Sequence, residues 1–462
     1  MSDEPNYVAA AKRVLTDALN LECGDKVVIF FDETALKPAA AFSDGARALG
    51  LSVHVRNIPV EEQKGYLTTE LDSLSYDDTE LLIGARAVLT CLTSDSQCSR
   101  FRQVLVEQSI AEDRVVGHMP GLNERILGEA LNVDYGRASQ LCDDLALILC
   151  LGRTAELRTF AEVGASGRAT GILTVDLGGI DRPSIVSSGV IPPGTWGNLP
   201  GGETFIAPIE GTATGTFLLT GSFDGHVLNP GDVVELTFDR GRLIDFDGTD
   251  DAKNQFEVRL QQWHDSDPLN YSNFAELGIG INEQIRTLTG RALLDEKCSE
   301  TIHVAIGANH GYGGTVKSGV HEDFVTWRPS LLVDGQSVIE GGKRSYSRDF
   351  WRENIQSVTS DKDLGPSVLL GRSASIRCED TNDGTLKVRR AVSSGRLCLY
   401  TVGDEATSKI LGHVYRCLPP PGFNVSLDEI IDHLTVEVKL GGEQILRAIT
   451  LLRKHGAITL NG

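Results

Sequence analysis

The strongest constraint on the fold is a set of short, nearly continuous apolar runs in the first third of the chain, separated by stretches of helical character. Lys26 to Phe31 reads KVVIFF, Leu51 to Asn57 reads LSVHVRN, Arg86 to Leu92 reads RAVLTCL and Arg114 to Pro120 reads RVVGHMP. An Ala-rich stretch from Ala35 to Leu49 separates the first two, and a helix is expected over Thr69 to Ile83. Strands that are apolar along their length are buried on both faces, the condition of a parallel sheet covered by helices. The pattern predicts a doubly wound α/β domain over residues 1–160. No GxGxxG follows the first strand and no GxxxxGK occurs, so a dinucleotide role is not expected. ALILCL, ending at Leu151, reads as one more short buried strand.

From about Ala161 the texture changes. GILTVDLGG, ETFIAPIEG, TGTFLLTGSFDG, DVVELTFDRG and GRLIDFDG are alternating segments separated by Gly, Asp-Gly and Pro-Gly turns, which favours antiparallel pairing. Helices are expected over Lys253 to Trp263 and, more weakly patterned, Asn282 to Leu288. This α+β domain, rich in antiparallel strands, is placed at residues 161–350. A third unit, 365–462, reads as a strand at Leu397 to Thr401 and helices over Glu405 to Leu418, Leu427 to Leu434 and Glu443 to Lys454. Ser426 and Glu429 make a capping-box pattern before the second helix. AITL then returns as a strand. That order resembles a winged helix, and a structural cap or dimerisation module stands beside a partner-recognition role.

At 462 residues the chain needs more than one core. Its net charge is −21, which argues against a general nucleic-acid binder because such proteins present a cationic footprint. No cationic start followed by an apolar stretch is seen, and no run approaches the ~18 apolar residues of a membrane span. The nine cysteines include no CxxC pair, which suggests free buried thiols in a reducing compartment. A cytoplasmic location is expected.

The chemistry gathers between residues 203 and 323. Glu276 lies in AELGIG, His303 in TIHVAIG, and His321 and Asp323 in VHEDF, with Glu203 upstream in GGETF. Oxygen and imidazole donors together suit hard and borderline divalent metals. Side chains two apart on a strand share a face, so His321 and Asp323 can meet one ion while Glu322 points away. The alternatives are a hydrogen-bonded core His303 and a solvated loop at His321 to Asp323. Two histidines with one carboxylate form the facial set of non-haem iron. Adding Glu276 and Glu203 gives five donors, enough for two bridged ions that polarise a carbonyl and activate water. Between the histidines, the glycines of GANHGYGGTVKSG suggest a tight loop. There Tyr312 and His310 are candidates for proton transfer or oxyanion stabilisation, and Lys317 for holding a substrate carboxylate. No GxSxG occurs, so a serine triad is not indicated.

GGETFIAP, AELGIG, IHVAIG and HED, followed by VDG, together resemble the M29 (aminopeptidase T-like) metallopeptidase family. The resemblance covers residues 1–345 and implies a dinuclear site on Glu203, Glu276, His303, His321 and Asp323, with Glu276 bridging. Two divalent ions (Zn, Co or Mn) would activate water for attack on a peptide carbonyl, with Glu203 as a possible base. Tyr312 is the nearest counterpart of an assisting tyrosine. The family resemblance also implies a homodimer. The same fold is similar to that of the dihydroxypyridine ring-cleaving dioxygenases, which implies one Fe(II) on His303, His321 and Asp323. Residues 365–462 are similar in element order to PqqD-like domains, which implies a leader peptide as partner, added as a strand at Leu397 to Tyr400. On that reading the chain processes, cyclises or merely holds a ribosomally made peptide.

Overall fold

The computed structural model describes residues 7–163, 167–178, 182 and 184–346. Beyond these it describes the backbone of the strands Leu369–Arg372, Ile376–Asp380, Leu386–Val392, Gly395–Leu399, Val425–Ser426 and Ile458–Asn461. The chain divides into two compact units. The first comprises residues 1–142, 187–203 and 279–299; the second comprises 143–186, 204–278 and 300–462.

In the first unit the four apolar runs and a further strand, Thr195–Asn198, form a five-stranded parallel sheet. The strands lie in the order Ser52–Asn57, Lys26–Phe31, Ala87–Cys91, Val115–His118 and Thr195–Asn198. Val27, Val28, Ile29 and Phe30 are all fully buried, as expected of a strand covered on both faces. Phe30, Val88 and Val116 pack against Phe101, Val104 and Leu105 of the Ser99–Ala111 helix. Order reverses between the first and third strands in sequence, and such a switch point is where doubly wound sheets take ligands. Here Asp32 fills that end structurally. Its buried carboxylate accepts from the Thr93 N–H at 2.5 Å, the Thr34 N–H at 2.9 Å and the Gln63 side-chain amide at 2.9 Å. A carboxylate so engaged by its own chain has little capacity left for a ribose hydroxyl.

The second unit carries two large sheets. One has eight strands, ordered Arg242–Gly248, Val234–Asp239, Thr214–Leu219, Gly167–Asp176, Thr154–Val163, Ser330–Val333, Gln336–Glu340 and Lys343–Arg344, with antiparallel neighbours. In the other, of ten strands, His321–Trp327, Thr301–Gly307 and Phe274–Gly280 lie side by side. The Asp250–Ser266 helix buries Phe256 and Trp263. Both rings meet Phe324, at centroid distances of 5.5 and 5.8 Å, and Phe256 also meets Phe223 at 5.5 Å. Because Phe324 alternates with Asp323, this aromatic cluster grips one face of the strand and leaves the other to polar chemistry.

Three local expectations are corrected. Thr69 to Ile83 is not one helix; Val60–Thr68 and Tyr76–Leu82 are separate, the second started by Ser75, whose hydroxyl accepts from the Asp78 N–H. ALILCL is the last part of the Tyr135–Leu151 helix, because a short apolar run carries no period that separates a buried helix from a strand. Asn282 to Leu288 forms no helix; Asn282 instead makes an isolated bridge to Cys298. Strands appear at Gly395–Leu399 and Ile458–Asn461, while the helices expected at 405–418, 427–434 and 443–454, and with them the winged-helix reading, lie outside the described residues. Among the described residues no helix is long and apolar enough to cross a membrane. Six cysteines there are free thiols, five of them buried.

Truncating Phe256 to Ala should remove about 3–5 kcal/mol of stability through the cavity it leaves. Denaturant unfolding checks this; a loss below about 1 kcal/mol would mean the ring cluster does not hold the His321–Trp327 strand.

Candidate metal centre

The site is built on three neighbouring strands of the second unit. Antiparallel pairing sets Ala305 opposite Asp323, His303 opposite Val325 and Gly307 opposite His321. His303 and Asp323 are therefore diagonal neighbours on one face, within reach of each other's side chains, and His321 shares that face. Glu276 enters from the Phe274–Gly280 strand. His303 Nε2 lies 3.1 Å from Glu276 Oε1, and His321 Nε2 lies 3.5 Å from Glu276 Oε2 and 3.7 Å from Asp323 Oδ1. One donor atom each from Glu276, His321 and Asp323 falls within 4.8 Å of the others. Glu276, His303 and Asp323 are buried, whereas the His321 side chain is 26% exposed.

Two glycines make the geometry possible. A Cβ on Gly278 would stand 2.0 Å from His303 Nε2, so the imidazole occupies the space that any other residue of AELGIG would fill. Gly307, at φ +102°, lets the backbone turn where a Cβ would meet the Val320 carbonyl at 2.1 Å.

The electrostatics fit a cation. Burial alone would push the Glu276 carboxyl up, but hydrogen bonds and charge from His303 and His321 bring it down to about 2. Burial likewise works against charge on His321, yet Glu276 and Asp323 raise it to about 10. Two buried carboxylates thus draw positive charge into the pocket, and without an ion a proton on imidazole supplies part of it. His321 Nδ1 sits 2.9 Å from the Ala308 carbonyl, which accepts its N–H and leaves Nε2 as the ligand atom. The donor set, its shared face and this fixed tautomer all suit a divalent metal. Glu322 points the other way: burial, then Asp224 and Asp323, push its carboxyl up to about 8, with Arg259 opposing.

Tyr312, His310 and Lys317 lie in the loop between the two histidines. Tyr312 lies in a single turn, His310–Tyr312, with its ring 5.3 Å from that of His321 and 5.6 Å from Phe205. His310 and Lys317 are exposed, and neither side chain makes a hydrogen bond to the four donors. Glu203 belongs to the first unit, where it is buried and Lys297 donates to its Oε1 at 2.7 Å. The same ammonium contacts Glu296. Burial opposes charge on Lys297, but the two carboxylates more than offset it and hold the lysine above its ordinary range.

Lys297 escaped sequence reading because nothing in LLDEKCSE marks a lysine for complete burial. Glu210 and Asn309 were also missed. Glu210 accepts from the Thr315 N–H at 2.7 Å and the Asn309 amide at 3.0 Å, and it pairs with Arg182. Asn309 Oδ1 accepts from the Val316 N–H at 2.9 Å. These bonds pin the loop between the two histidines, so its glycines make a tight turn rather than a free flap.

No family model matches the chain, and no curated protein does. Among solved structures, the 2,5-dihydroxypyridine dioxygenase from Pseudomonas putida KT2440 is similar in fold, with a TM-score of 0.55 at 15% identity, over 74% of this chain and 97% of that one. AmpT from Thermus thermophilus is similar with a TM-score of 0.50 at 17% identity, over 74% of this chain and 99% of that one. At these identities the likeness shows a shared fold.

Two outcomes are expected. Gly278→Ala should displace the His303 ring and weaken divalent-metal binding by roughly 10–100-fold, measured by calorimetry with Mn(II); unchanged affinity would mean the glycine is not making room for a ligand. Because His321 holds its proton up to about 10 in metal-free protein, a cation must displace that proton. Affinity should then climb by about tenfold per pH unit from the ordinary imidazole range towards that value. A flat profile would contradict this.

Proposed function

We propose that this chain is a one-metal enzyme of the non-haem iron oxygenase type, with His303, His321 and Asp323 holding the ion. The observation that carries the reading is Lys297: its ammonium lies between Glu203, the acid that a two-metal centre would need, and Glu296, and offsets part of their charge. A buried lysine 2.7 Å from the carboxylate supplies there the charge that a second cation would otherwise bring.

A ferrous ion held by His303, His321 and Asp323 would supply activation of oxygen and substrate. The protein's own part follows from the geometry. Glu276 stays ionised beside the two imidazoles, so its carboxylate can accept a hydrogen bond from a substrate hydroxyl. Tyr312 and Phe205 stand edge to face against the His321 side, giving an aromatic wall suited to a planar ring. The substrate class this favours is a hydroxylated aromatic, in keeping with the ring substrate named for the Pseudomonas relative.

A hydrolase keeps one supporting observation, since an ionised Glu276 would equally accept a hydrogen bond from a metal-bound water. The two chemistries part over oxygen. Protein loaded anaerobically with Fe(II) should consume oxygen stoichiometrically with a hydroxylated aromatic, and Asp323→Ala should abolish uptake. Oxygen-independent cleavage of aminoacyl substrates would instead establish the hydrolase.

The lysine generates its own prediction. Wild-type protein should bind one divalent ion per chain, while Lys297→Met, which leaves Glu203 and Glu296 without their ammonium, should either lose about 3–5 kcal/mol of stability or regain it by taking up a second ion. Two tightly bound ions in the wild type would overturn the reading.

A further inference from the structure

A cavity lies wholly within the first unit, apart from the residues of the metal centre. It has a volume of about 210 Å³ and runs between the segments 123–130 and 285–294. Three arginines line it (Arg125, Arg286 and Arg291) against a single carboxylate, Glu129. In a chain of net charge −21, such a concentration of guanidinium groups around one small hollow stands out from the prevailing surface.

The arginines are differently placed. Arg125 is held by Glu129 at 3.2 Å and by the Thr287 hydroxyl, so the one carboxylate is engaged at the rim. Arg291 donates to the Gly121 carbonyl at 3.2 Å. Arg286 makes no hydrogen bond or ion pair with any described residue. Two forks are therefore oriented by the protein, and the third has its donors unspent.

The frame around them is rigid. Buried Asp295 accepts from the Thr289 N–H at 2.8 Å, the Thr289 hydroxyl at 3.0 Å and the Gly290 N–H at 2.7 Å, which fixes the turn that carries Arg291. Asn123 caps the opposite segment by accepting from the Ile126 N–H at 3.0 Å. Asn282 ties the two sides together, its amide donating to the Ala130 carbonyl at 3.0 Å. Ile126, Ile285 and Leu294 supply buried apolar surface at the base.

We infer that this cavity binds a small organic anion, its oxyanion gripped by the arginines and its hydrocarbon part resting on Ile126, Ile285 and Leu294. Guanidinium forks match the planar or tetrahedral oxygens of carboxylates and phosphates in bidentate geometry, which an ammonium does not. The volume admits a single ring or a short chain and is below the ~300–1,000 Å³ of sites that enclose drug-sized ligands. The assignment is independent of the metal reading, because every wall belongs to the first unit.

Calorimetric titration of the full chain with phenyl phosphate, benzoate and inorganic phosphate tests it. One of the two organic anions should bind one per chain, more tightly than inorganic phosphate, and the tighter of the pair identifies the head group. Arg286→Ala and Arg291→Ala should each weaken that binding at least tenfold, and Arg286→Lys should restore it only in part. Arg240→Ala, an exposed arginine elsewhere, should leave it unchanged. Thermal unfolding of Arg286→Ala should match wild type, since no described partner is lost. Failure of both organic anions to saturate, equal binding of inorganic phosphate, or equal weakening by Arg240→Ala would each overturn the inference.

Discussion

Buried carboxylates need buried positive charge, and the interior chemistry of this protein is organised around how that demand is met. Taking an ionised acid out of water is prohibitive unless a partner lies within contact range. In the second unit Glu276 and Asp323 meet imidazoles, a cation source that a metal readily displaces. In the first unit Glu203 and Glu296 meet Lys297, a permanent and covalently tethered one. The two cation sources differ in kind: an imidazole proton is exchangeable, whereas the ammonium is tethered to the chain.

The fold serves this arrangement through strand alternation. On the His321–Trp327 strand, one face carries His321 and Asp323 towards the donors, and Phe324 on the other is locked by the helix rings of Phe256 and Trp263. A ligand position is only as fixed as the backbone beneath it, so the aromatic cluster and the metal centre are two faces of one rigid element. Gly278 completes the design by vacating the volume that His303 takes.

Much of this is legible in the sequence. Three of the four apolar runs are buried along their length, as continuous hydrophobicity implies, whereas Ser52–Asn57 is a largely exposed edge strand. Period-two alternation puts His321 and Asp323 on one face of their strand, whereas Glu276 and His303 stand out in the sequence only as donor types near them. What escaped depended on tertiary context. ALILCL is apolar throughout and so carries no period; the Thr195–Asn198 strand, TWGN, is short and carries no apolar run, yet it pairs in parallel with Val115–His118. Lys297 looks like any surface lysine, and only its depth beside Glu203 shows its role. The anion-binding cavity joins segments more than 150 residues apart, beyond any local pattern.

The central claim is that one ion, not two, occupies this protein, bound through His303, His321 and Asp323. Low-temperature electron paramagnetic resonance of Mn(II)-saturated protein tests it most directly. The account predicts the hyperfine pattern of an isolated manganese centre, lost in His303→Ala. The spectrum of an exchange-coupled pair bridged by a carboxylate would contradict it.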